Sequence, residues 1–149
     1  MEHSNISTST LLQRLFKTSN ISGFIKRYGG QMKKIPFKTY LNNLCVEKSA
    51  VAEHVIKKSG IERTYGHQIF NGTRRPSRDK VIQLAMGFEL NYAEAQELLR
   101  AARKSPLYPK VERDAVVIYA LNKGLSEANV QVTLKELSLP LLGKEDRYE

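Results

Sequence analysis

Arg63 and His67 lie four positions apart, as do Thr64 and Gln68, so on one helix these four side chains form two adjacent polar columns. Their chemistry is hydrogen bonding to the edges of bases. An arginine fork donates twice, to guanine O6 and N7, and a glutamine amide pairs with adenine N6 and N7, each for about 1–3 kcal/mol of discrimination. Thr64 offers a methyl for thymine or a hydroxyl for phosphate, while a neutral His67 is a poor sole anchor and can line a groove as a spectator. Downstream, Thr73, Arg74, Arg75 and Arg78 surround the start of another helix, whose free N–H groups favour anions. Such residues position phosphates without reading sequence. Tyr65 and Asn71 belong to the same phosphate-facing set, the tyrosine with its ring packed and its hydroxyl turned outward.

The element that must hold these residues runs from Ser49 to Ser77. Val55 and Ile56 are the apolar residues of a first short helix, with Ser49 as its expected N-cap. Gly60 turns the chain, and Ile61 opens a second run anchored at Ile69. Asn71-Gly72 closes that run, since both residues tolerate a left-handed backbone. Lys57 to Ile61 therefore reads as the turn of a helix-turn-helix, and the outward face of its second helix is expected to be polar and unpaired with acid.

The spacing from Val55 through Gly60-Ile61 to Ile69-Phe70-Asn71-Gly72, followed by Arg74-Arg75-Pro76-Ser77, resembles the lambda-repressor-like family of DNA-binding domains, the Cro, repressor and xenobiotic-response-element type. The resemblance covers the chain from near Pro36 to near Arg103. It implies an all-α, five-helix domain in which the helix at 62–71 enters the major groove of double-stranded DNA. Arg63, Thr64, His67 and Gln68 then fall at the base-reading positions. The implied function is sequence-specific DNA binding by a repressor-like transcriptional regulator, working as a homodimer on half-sites about 34 Å apart. The chain departs from the family pattern at Ile56, where a small residue is usual, and at Gly66, where a branched one is. In the resembled fold these two positions face each other, so volume is exchanged but roughly kept. Phe70 also stands where a polar residue is common, and its expected place is the core, against the first helix of the domain or the added lobe.

Charge supports a polyanionic partner by its placement more than by its total. The net charge of +9 is made of +5 in residues 1–35, +5 in 48–80, none in 36–47 or 81–105, and −1 in 106–149. Residues 1–35 form an expected helical arm with apolar edges at Leu11, Leu12, Leu15, Phe16 and at Ile21, Phe24, Ile25, Tyr28, ending at Gly29-Gly30 after a frayed start. This arm either packs on the domain or follows a phosphate backbone with Arg14, Lys17, Lys26 and Arg27. The domain itself spans 36–104. Pro36 starts its first helix, whose apolar stripe includes Cys45, and Ser77 and Asn91 cap its last two. Residues 105–142 read as a helical extension, an uncharged hairpin that either self-associates or closes the core. Its run Ala115–Leu121 reads as helix. No internal repeat is read, and a mobile tail is expected over 143–149.

Other classes of function are poorly supplied. There is no glycine-rich phosphate loop, no paired cysteines and no His-Glu metal motif, so no catalytic residue, metal or cofactor is assigned. The single cysteine, Cys45, and the absence of an apolar run of membrane-spanning length suit a cytoplasmic protein without membrane contact. The rival reading is an adaptor or antitoxin-like protein that keeps the fold and binds another protein.

Overall fold

Caps set where most of the helices begin. In the computed structural model, which describes residues 6–32 and 35–143, every regular element is an α-helix. The chain divides between Ile35 and Pro36 into two compact units. In the first, Ser7 caps α1 (Thr8–Lys17) through the Thr10 N–H, and Asn20 Oδ1 accepts from Gly23 N at the start of α2 (Ile21–Met32). Among the described residues of this unit only Phe24 and Tyr28 are buried, with ring centroids 4.8 Å apart. Arg14 donates to the Tyr28 hydroxyl at 2.9 Å. The expected stop at Gly29-Gly30 is wrong, since α2 continues through both glycines. The fraying expected through residue 10 does not extend to Thr8, where α1 begins; residues 1–5, like the tail beyond Gly143, lie outside the described residues.

The second unit contains α3 (Phe37–Lys48), α4 (Ala52–Ser59), α5 (Arg63–Asn71), α6 (Arg78–Gly87), α7 (Tyr92–Ala101), α8 (Glu112–Lys123) and α9 (Glu127–Glu136). Ser49 does not cap α4. It closes α3 in a left-handed conformation, φ 53°, and Val51 precedes α4 without a side-chain cap. Ser77 and Asn91 do cap α6 and α7, the latter in a reciprocal box with Glu94. The core is centred on α6, where Val81 to Gly87 and the C-capping Phe88 are all buried. Gly87 lets α4 come this close, for a Cβ there would lie 2.4 Å from the Val55 carbonyl oxygen. Ala115–Leu121 lies within α8, as read from sequence.

Residues 105–142 are not an appended lobe. Val117 on α8 and Leu134 on α9 have no exposed surface and belong to the same apolar cluster as Leu41, Leu84 and Leu98. Nor is the hairpin uncharged where it meets α6. Arg78 donates to both Asp114 oxygens, at 3.1 and 2.8 Å, and Arg113 does the same to Asp79, at 2.9 and 2.5 Å.

This exchange exposes an internal repeat that the sequence reading missed. Residues 78–108 and 113–143 correspond at a constant offset of 35. Arg78-Asp79 matches Arg113-Asp114, the Asn91 cap matches Ser126, and α7 matches α9 end to end. The left-handed residues Glu89 and Arg103 (φ 58° and 59°) match Gly124 and Ser138 (71° and 60°). Arg78 also donates to the carbonyls of Ser105 and Pro106, and Arg113 to those of Pro140 and Leu141. Gln96 clasps both backbone groups of Leu107, as Gln131 clasps those of Leu142. Tyr108 N–H bonds Asp114, and Gly143 N–H bonds Asp79. The two halves thus grip each other reciprocally.

Candidate nucleic-acid interface

The turn between α4 and α5 fixes the face in question. Gly60 ends α4 in a left-handed conformation, φ 74°, buried Ile61 anchors the turn, and Glu62 caps α5 by accepting from the Thr64 and Tyr65 N–H groups at 2.8 and 3.0 Å. Those bonds hold the Glu62 carboxyl below the usual carboxylate range. Ile69 and Phe70 point into the core, where Phe70 meets Phe88 at the end of α6 with centroids 6.2 Å apart. Gly66 is buried against α4, and a Cβ added there would stand 2.5 Å from Ile56 Cγ2. The facing of these two positions is therefore as the sequence reading had it.

The outward surface of α5 brings Arg63, Thr64, His67 and Gln68 together. Arg63 is 72% exposed along its side chain, Thr64 is exposed, and His67 and Gln68 are partly covered. The expectation of a face without acid is overturned. Glu53, from the first turn of α4, accepts from Arg63 Nε at 3.0 Å and bonds His67 Nε2 at 2.6 Å. The bond to His67 foremost, then that to Arg63, lowers the Glu53 carboxyl below its ordinary value. Thr64 turns its hydroxyl toward Glu62. Gln68 Oε1 accepts from Arg74 Nε at 3.0 Å.

The phosphate-facing set divides. Arg74 and Arg75 are exposed beside the end of α5, and Arg75 makes no polar contact with a described residue. Arg74 stacks over the Tyr65 ring at 4.4 Å, and Lys80, which sequence reading passed over, sits at 5.2 Å from the same centroid. Thr73 is exposed, with its N–H bonded to Asn71 Oδ1, so Asn71 is first a turn former. Arg78 does not face phosphate as expected: its guanidinium is engaged by Asp114 and two carbonyls, and it acts as a strut between the repeats. Glu53 was missed because it lies ten residues from Arg63 on another helix, where periodicity along one helix is blind to it. Cys45 is partly buried against the core, and that burial raises its thiol pKa.

A cleft of about 760 Å³ lies at the ends of α4, α6 and α8 and is lined by Lys57, Gly60, Met86, Leu90, Leu121 and Leu125, with none of the base-reading set. Among the described residues no cluster of three His, Cys, Asp or Glu side chains can hold a metal, and no helix is long and apolar enough to cross a membrane. Comparison with protein-family models, curated proteins and solved structures gave no significant match.

Proposed function

We propose that this chain is a lambda-repressor-like transcriptional regulator that binds double-stranded DNA sequence-specifically, with α3 to α7 as the five helices of that family and α5 in the major groove. The observation that carries this reading is the donor-rich outer surface of α5, with Arg63 72% exposed and Arg74 and Arg75 exposed at its end. Arg63 and Gln68 are the base readers, Thr64 and His67 complete the face, and Tyr65, Thr73, Arg74 and Arg75 meet phosphate. The reading assigns no catalysis, metal or cofactor and a cytoplasmic setting. One motif spans few base pairs, so the regulator acts as a homodimer on two half-sites. The test is selection of bound sequences from random duplexes. A palindromic preferred sequence supports the reading, and recovery of no preferred sequence rejects it.

Glu53 is the observation that favours a second reading, a protein-binding adaptor or antitoxin-like regulator, because an acid within the donor face weakens attraction to phosphate. Salt separates the two. Duplex binding that falls steeply between low and moderate salt yet keeps a sequence preference belongs to the regulator.

A further inference from the structure

We infer that Glu53 is a positioning residue for base reading, clamping Arg63 and His67 side by side so that each presents one fixed hydrogen-bonding edge outward. The inference rests on the DNA-binding reading above and goes beyond it by assigning a role to a residue outside the recognition helix.

The geometry leaves little choice of edge. Glu53 Oε2 takes Arg63 Nε, so the guanidinium is held by its inner corner while Nη1 and Nη2 stay available. Those are the two nitrogens that meet guanine O6 and N7 end-on. Glu53 Oε1 takes His67 Nε2. An ionised carboxylate only accepts, so this ring nitrogen carries a proton and Nδ1 is the ring nitrogen left for a base. With Nε2 protonated, Nδ1 accepts from the amino group of cytosine or adenine when the ring is neutral and donates to a base oxygen or nitrogen when it is charged. A free arginine side chain carries about 2 kcal/mol of rotamer entropy. Holding it beforehand removes part of the cost of ordering it on a base. Glu53 is itself placed by the first turn of α4, where a carboxylate is favoured by the helix N-terminus.

Positioning and simple repulsion of phosphate predict different things. Removing an acid from a DNA-facing surface strengthens binding to any duplex. Removing a clamp also erodes the choice among sequences. Selection from random duplexes is therefore run on the full chain and on Glu53→Ala and Glu53→Gln, with affinity for the selected and for an unrelated duplex at one fixed salt. Expected for Glu53→Ala is unchanged or tighter binding to the unrelated duplex, with discrimination at one or two base pairs reduced about tenfold. Glu53→Gln, which can still accept from Arg63, should keep part of that discrimination. The ¹⁵N resonances of the His67 ring supply a readout without DNA, reporting an Nε2–H tautomer in the parent and a mixture in Glu53→Ala. If Glu53→Ala selects the same sequence with undiminished discrimination, the clamp is overturned while DNA reading stands. If the parent chain itself selects nothing, both are overturned.

Discussion

Ile56 occupies the space that a side chain on Gly66 would need, its Cγ2 lying 2.5 Å from the position of a Cβ on that glycine. Ile56 is 2% exposed, so it has no route aside. Helix α5 therefore carries a glycine in its interior, costing about 1 kcal/mol against alanine, in return for a full isoleucine from α4 in the angle between the two helices. Gly66→Ile alone should unfold the motif. Ile56→Ala alone should cost about 2–5 kcal/mol through the cavity it leaves. The double variant Ile56→Ala/Gly66→Ile should recover much of the loss, with a coupling of about 0.5–3 kcal/mol. Thermal melts of the three proteins check this, and equal damage in the single and double isoleucine variants would show that the pairing does not matter.

Base readers and phosphate contacts separate by how they respond to salt and sequence. Arg63→Ala or Gln68→Ala should relax preference at one base pair. Arg75→Ala should weaken all duplexes alike and reduce the slope of log affinity against log salt by about 0.9. Binding titrations at several salt concentrations decide it. An unaltered preferred sequence in both Arg63→Ala and Gln68→Ala would exclude direct readout by α5.

The Arg113–Asp79 pair is largely removed from water, with side chains 18% and 3% exposed. Asp79→Asn leaves the guanidinium without its charge partner and should cost about 3–5 kcal/mol. Replacing both residues with apolar ones of similar size should cost much less, since no lone charge then remains buried. Chemical denaturation of single and double variants measures the difference.

Acid should loosen the junction of α3 and α7. Glu94 bonds Lys48 at 2.5 Å and takes the Asn91 N–H, and these two bonds, in that order of weight, hold its carboxyl below the ordinary value of 4.5. A depressed folded-state pKa means that this stabilisation is complete above 4.5 and is lost as pH falls through the lower folded value. Glu94→Gln should therefore flatten the acid limb of a stability-against-pH curve below that point while changing its shape little near neutrality.

Local signals carried the reading a long way where a single helix decides. Ser77 and Asn91 cap as their side chains suggest, and Ile69 and Phe70 both lie in the core as expected. Ser49 failed because the adjoining helix used it as a left-handed stop, an outcome set by where α3 runs out. Arg78 failed for a different reason. In the sequence it looks the same as Arg75, and only the distant Asp114 and the carbonyls of Ser105 and Pro106 withdraw it from the surface. The repeat escaped notice because it is written in backbone turns and in a few scattered side chains. Val81 and Val116 agree, but Leu84 faces Tyr119, and Gln83 faces Ile118.

The reciprocal grip of residues 78–108 and 113–143 turns this contact of the two repeats back on itself. In a solenoid each unit hands an open surface to the next, so units accumulate. Here the same surface is spent on both sides, as in a closed two-fold assembly. A further unit of the same kind would find Asp79 and Asp114, the carboxylates that receive the repeat's arginine, already occupied by Arg113 and Arg78.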